Sequence, residues 1–294
     1  VIKYNPKDWL NLIFAFHRSD TFRVLLPAML GVAIFTILVE IVLIDLVDLR
    51  YKGSYAVHSL LGFVISLLLV FRTNTAYERW WEGRKLWGNM VNNSRNLAME
   101  LNAYLPENEK NDREDLWLLI SNYVLSAKEH LRNSSALLQL TTNERHPLSA
   151  FTGTSHLPAR ILSRLYDLVS KMYREKRIND YEFLNLNHEL QEFTNIIGAC
   201  ERIKNTPIPY AYSIFIKKFI FIYVMTMPFA FVSDFGYWAI PIVVFVFYVL
   251  SSLELIAEEI EDPFGRDDND LSTDELCVTI SKNTREILQL DQAS

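Results

Sequence analysis

The chain has 294 residues, of which 50% are hydrophobic and 22% charged, and its formal net charge is −6. That acidic balance excludes a general nucleic-acid binder, which needs a basic surface, and two distant cysteines, Cys200 and Cys277, exclude a disulfide framework. A mean hydropathy of +0.08 averages over nearly charge-free regions and a remainder rich in Lys, Glu, Asp and Asn, the pattern of a membrane part joined to a water-facing helical part.

The leader, Pro6 to Thr21, reads as a short helix with Trp9, Leu12, Ile13 and Phe16 on one face. It suits an interfacial segment or a helix packed on the protein's own soluble part. Because this leader is charged and aromatic, no cleavable signal peptide is expected. The first span runs over about 22–47, long enough at ~1.5 Å per residue to cross a ~30 Å hydrocarbon core. Pro27 is placed near its start, where a missing N–H costs least. Asp45 can reach the far interface, whereas Glu40 lies deeper and faces protein or water, or ends a helix as a hydrogen-bonded carboxyl. A short loop, Asp48 to Tyr55, leads to the second span, about 56–81, whose apolar part is Ala56 to Phe71. Gly62 and Ser66 offer it a small-residue face.

No Pro or tight turn separates that span from the charged stretch holding Trp80, Trp81 and Trp87, so one helix continues to Leu105. At 3.6 residues per turn, Phe63, Leu67 and Phe71 form a single stripe that reaches Asn74 and Glu78. A stripe that is bulky and apolar, then polar, is what a pore with a hydrophobic constriction needs. An ordinary apolar stripe facing lipid or neighbouring helices is the alternative.

Pro106 and residues 107–115 mark an exposed turn, and helices follow over Glu114 to Leu140, Pro158 to Lys176 and Asn179 to Lys204, the last capped by Asn179 or Asp180. Residues 141–156 read as an irregular loop. After Pro207 and Pro209 comes a third span, about 210–232, with Lys217 and Lys218 snorkelling from its first turns. A turn at Ser233 to Gly236 precedes the fourth span, about 237–256, with Pro241 in its first turn. An acidic run follows, Pro263-Phe264-Gly265 breaks the helix, and Ser272 with Glu275 is positioned to make a capping box for a last helix to about Leu290.

The fold class is therefore all-α, a single domain over 1–294 with four transmembrane helices and a large helical cytosolic region at about 82–205 and 257–294. Lys and Arg flank the starts of spans one and three and the end of span two, which puts both termini and the helical region in the cytoplasm.

Enzyme chemistry finds no footing. The six histidines make no HxxH or HExxH pair, and no Walker, GxGxxG or GxSxG motif occurs. Read as a calcium loop from Asp267, the sixth and twelfth places hold Ser272 and Val278 instead of Gly and Glu, so spacing alone favours a solvated acidic turn. A secondary transporter would show repeated halves; spans one-two and three-four are unlike each other, whereas a pore needs only copies of one helix in an oligomer.

Three motifs, FRTNTAYERWWEGRKLWG from Phe71, ERIKNTPIPYAY from Glu201 and IEDPFGRDDNDL from Ile260, resemble the bestrophin family in its bacterial branch, in order and spacing along nearly the whole chain. The resemblance implies a homopentamer in the bacterial inner membrane, among lipids, with one central pore passing small monovalent ions and no cofactor required. It puts the pore neck at Phe63, Leu67 and Phe71, with Leu67 replacing the commoner Ile or Phe, and a vestibule at Asn74 and Glu78. The segment RINDYEF resembles the stretch that carries a second, cytosolic aperture, at Tyr181 or alternatively Ile178. Asp262, Asp267, Asp268 and Asp270 occupy the segment of the calcium clasp of animal relatives, but Asn269 interrupts the run, so Ca2+ dependence stays open. Chloride and other anions are the family default, and a ring of Glu78 carboxylates would favour cations. A secondary transporter and a non-conducting scaffold are the competing readings.

Overall fold

A computed structural model describes residues 20–47, 55–106 and 108–290. The leader and the 48–54 loop, on which two of the expectations fall, lie outside the described residues. Those described are helical, with turns and no strand. They form two compact units: one holds the chain up to Arg79 and Pro207–Glu261, the other Trp80–Thr206 and the chain from Asp262.

The first unit is apolar. Helix α1 (Asp20–Glu40) passes into a widened, π-type turn at Ile41–Leu46. The 50-residue helix α2 (Tyr55–Tyr104) gives its first half to this unit. Helices α6 (Tyr210–Phe235) and α7 (Ala239–Glu261) complete it, joined by a tight turn at Gly236–Trp238. Gly236 has φ +53°, which a side chain would resist. Lys217 near the start of α6 pairs at 2.8 Å with Glu258 near the end of α7, so the two helices run antiparallel. The two lysines expected to snorkel thus differ in role, Lys217 being tied to a carboxylate.

Val32, Ile65, Leu69, Ile216, Ile220, Val224, Met227 and Val243 form the core of this unit, and Phe22 meets Tyr248 edge-on with ring centroids 5.9 Å apart. Thr21–Leu46, Ala56–Tyr104 and Tyr210–Glu261 are each long and apolar enough to cross a membrane, and the Gly236 turn folds the last into two helices. Pro27 differs from expectation. Because α1 already begins at Asp20, Pro27 lies inside the helix, as Pro228 does in α6. Interior prolines are tolerated in membrane helices, where neighbouring groups re-satisfy the freed backbone.

The second unit contains the rest of α2 with α3 (Lys110–Leu131), α4 (Leu157–Arg174), α5 (Asp180–Asn205) and α8 (Thr273–Ile287). Leu97, Leu101, Leu116, Leu119, Ile120 and Phe193 are fully buried among them, and the buried Tyr123 hydroxyl donates to Phe193 O at 2.7 Å. Helix α3 ends nine residues before the Leu140 expected from periodicity. Asn133 takes a left-handed conformation, φ +55°, and Ser134 N donates to Glu129 O at 2.9 Å, a glycine-type helix stop made with asparagine. Its other end begins inside the stretch read as an exposed turn, where Arg113 and Asp115 are buried.

Asn179 caps α5 with a complete capping box, accepting from Tyr181 N and Glu182 N while Glu182 accepts from Asn179 N at 2.8 Å. The capping box expected at α8 does not form. Ser272 occupies the cap position with ψ 56°, outside the extended conformation that aims the hydroxyl at the helix, and makes no side-chain cap bond.

Candidate functional site

At ~100° per residue, α2 presents two faces about half a turn apart. Ile65, Leu69, Arg72 and Ala76 are buried on one. On the other, Phe63, Leu67 and Phe71 are 68%, 45% and 56% exposed, and Asn74 and Glu78 continue the same exposed stripe. The sequence fold of this helix explains the close packing behind the stripe. A Cβ on Gly62 would meet the Tyr223 hydroxyl of α6 at 2.7 Å, so only glycine admits that contact. Ser66, paired with Gly62 in the sequence reading, instead stays exposed and donates back to Gly62 O at 2.7 Å.

Arg72 sits one residue past the apolar stripe, yet it is 1% exposed and turned away from it. Its Nη2 lies 2.7 Å from Glu261 Oε2 and its Nε 3.6 Å from Glu254 Oε2. Glu261 also accepts from Ile208 N at 2.6 Å, and its main-chain oxygen accepts from Arg79 Nε at 3.1 Å. The guanidinium therefore lies between the buried Glu254 and the part-buried Glu261 carboxyl groups of α7, and Glu261 gathers the Pro207–Pro209 connection onto the same point. Glu78 makes no ion pair among the described residues and lies on the exposed stripe, while Arg72 does not reach it. This cluster was missed in the sequence. Its signal was there: Glu254 stands in an apolar span, seven residues before Glu261 on one helix face.

The motif loop after α7 belongs to the second unit. Trp80 Nε1 donates to Asn269 O at 2.9 Å, and a Cβ on Gly83 would meet Pro263 and Phe264 at 3.1–3.2 Å. Leu271 N donates to Pro263 O at 2.9 Å, closing the loop. Of its aspartates, Asp262, Asp267 and Asp268 are exposed, whereas Asp270 is 2% exposed. Asp270 Oδ2 accepts from Asp267 N at 2.6 Å and lies where a Cβ on Gly265 would come within 2.7 Å. Its carboxylate organises the loop from inside, a role unlike that of its exposed neighbours. The two aperture candidates also separate. Tyr181 is 81% exposed in the first turn of α5, while Ile178, at 4%, belongs to the hydrophobic core of its unit.

A bundle of helices long and apolar enough to cross a membrane, one carrying an outward stripe that passes from aromatic to carboxylate, defines a helical membrane protein. A family model for bacterial and fungal bestrophin proteins matches residues 1–286, and the chain belongs to that family. It is 33% identical over 292 residues to a voltage-dependent anion channel-forming protein of Nostoc, a match covering 97% of this chain and 93% of that one. A protein of the same description in Escherichia coli K12 is 32% identical over 277 residues, covering 93% and 90%. Among solved structures, a bacterial bestrophin homolog from Klebsiella pneumoniae superposes with a TM-score of 0.82 at 28% identity, covering 89% of this chain and 97% of that one. The Nostoc and Escherichia coli relatives are described as channel-forming proteins, and the fold is shared with the Klebsiella homolog.

Proposed function

We propose that the protein is a homopentameric ion channel that passes small monovalent ions passively through a hydrophobic neck made by Phe63, Leu67 and Phe71 of each subunit. One observation carries this reading: α2 turns outward a stripe that changes from aromatic and aliphatic to polar, ending at Asn74 and Glu78. The outward face of α1 stays aliphatic through Val24, Leu30, Ile34 and Leu38, as a lipid-facing surface requires. Five copies of the α2 stripe around an axis would narrow the path to aromatic and aliphatic side chains, which gate by dewetting, and open into a polar vestibule. Tyr181, the exposed member of its pair, is assigned a second constriction in the cytosol. In this reading the four apolar helices each cross the bacterial inner membrane, and both termini face the cytoplasm.

Anions are the proposed cargo, following the description of the relatives. The exposed Glu78, without an ion pair among the described residues, supports a second reading, in which a ring of carboxylates favours cations. Planar-bilayer recording under a NaCl gradient separates them: the reversal potential moves toward that of chloride or of sodium, and Glu78→Gln shifts it toward chloride only if the ring sets the choice. Replacing Phe63, Leu67 and Phe71 together by Ala should raise unitary conductance. Unchanged unitary currents would remove them as the neck. Saturable, coupled flux without current steps would favour a transporter, and no flux at all a scaffold.

A further inference from the structure

Three side chains far apart in sequence converge in the second unit. His130 is in the last turn of α3, His156 is the N-cap of α4 and Glu201 is near the end of α5. Glu201 Oε1 lies 2.7 Å from His130 Nε2 and 2.8 Å from His156 Nε2. The three candidate ligand atoms lie within 4.8 Å of one another, and all three residues are half-buried. The two imidazole rings tilt toward each other with centroids 4.5 Å apart. Nothing in the ion path of the previous subsection uses them.

We propose that His130 Nε2, His156 Nε2 and Glu201 Oε1 bind a zinc-class divalent ion, tying together the ends of α3, α4 and α5. Two imidazoles and one carboxylate suit Zn2+ and its neighbours in the first transition row, whereas Ca2+ and Mg2+ take mainly oxygen ligands. Three protein ligands leave a fourth position of a tetrahedral ion for water. His130 also borders a cavity of about 190 Å³ lined by Ser126, Ser134, Thr154 and Ser155, whose polar groups suit water. The Lys204 ammonium, on the same helix as Glu201, is engaged elsewhere, by His130 O at 3.0 Å and Asn133 Oδ1 at 2.6 Å.

Loading has a structural consequence at α4. His156 Nδ1 accepts from Ala159 N at 3.0 Å, so in the metal-free chain a neutral ring carries its proton on Nε2, toward Glu201. Ligation through Nε2 moves that proton to Nδ1 and gives up the bond from Ala159 N. The metal therefore trades the side-chain cap of α4 for a cross-link between three helix ends.

The test uses the full-length protein in detergent, stripped with EDTA and titrated with Zn2+ by calorimetry. One Zn2+ per chain is expected, undisturbed by millimolar Ca2+, with a rise in melting temperature. His156→Asn keeps an N-cap acceptor for Ala159 N while removing the ligand, and it should weaken binding by more than about 100-fold, since losing only an outer partner of a ligand costs ~10–100-fold. Glu201→Gln should do the same. In the unmutated protein, zinc should speed hydrogen exchange at the Ala159 amide. Failure to bind one Zn2+ per chain, competition by Ca2+, full affinity in His156→Asn or unchanged exchange at Ala159 would each overturn the site.

Discussion

Replacing Arg72 by Met tests whether the buried cluster behind the α2 stripe organises the apolar unit. Arg72, Glu254 and Glu261 have side chains 1%, 5% and 13% exposed, with contacts of 2.7 Å to Glu261 and 3.6 Å to Glu254. At an effective dielectric constant of ~20, those separations correspond to about 6 and about 5 kcal/mol of attraction before desolvation. The net value is smaller, because ions taken out of water lose most of that gain. Removing one partner of a buried pair costs about 3–5 kcal/mol, since it strands the other charge. Arg72→Met strands two. At ~2–4 °C per kcal/mol, the melting temperature of the purified protein in detergent should fall by roughly 6–20 °C. Adding Glu254→Gln and Glu261→Gln to Arg72→Met should restore most of the loss, because no buried charge is then left unpaired. Glu78→Gln, an exposed change, should leave the melting temperature where it was. A fall equivalent to less than about 1 kcal/mol, the range of an exposed pair, would refute the reasoning, and so would a triple variant no more stable than Arg72→Met.

Gly265→Ala should destabilise the loop after α7 by about 1–3 kcal/mol, because the new Cβ would lie 2.7 Å from Asp270 Oδ2; thermal melts should show Asp270→Ala relieving part of that cost in the double variant. Acid should loosen α3 from α8. Asp274 receives Arg132 Nη2 and Lys128 Nζ, each at 2.7 Å, and the Arg132 hydrogen bond, aided by that of Lys128, holds its carboxyl well below the usual range against the opposing effect of burial. A carboxyl depressed in the folded state stabilises in full above the unfolded value near 4 and loses that contribution as pH falls through the folded value. Melts should therefore show Asp274→Asn costing stability at pH 6 and progressively less below pH ~4, whereas a cost that persists undiminished at pH 2 would contradict the ion pairs.

The elements that sequence reading located well were those whose pattern is local. Helix α2 was legible from Tyr55 to Tyr104 because no residue in it breaks a helix, and its exposed stripe follows from periodicity alone. The Gly236 turn and the Asn179 cap were legible for the same reason, each being set by one or two residues. Errors arose where a neighbour decides. The end of α3 depends on Asn133 adopting a left-handed conformation, which the continuing apolar pattern to Leu140 conceals. The failed α8 capping box depends on the backbone at Ser272, held where Leu271 N bonds to Pro263 O. The Arg72 cluster and the His130–His156–Glu201 group both join residues separated by dozens of positions, so no window along the chain contains them.

That difference bears on the ion path itself. In the folded chain the helical period carries Arg72 to the opposite face, where α7 supplies it with two carboxylates. Stability of the bundle and charge at the stripe are thereby separated. The guanidinium is taken up by the scaffold, and the exposed stripe ends instead on the side chain of Glu78. In the proposed channel, a substitution of Glu78 on that face tests the choice between chloride and sodium without disturbing the helices behind.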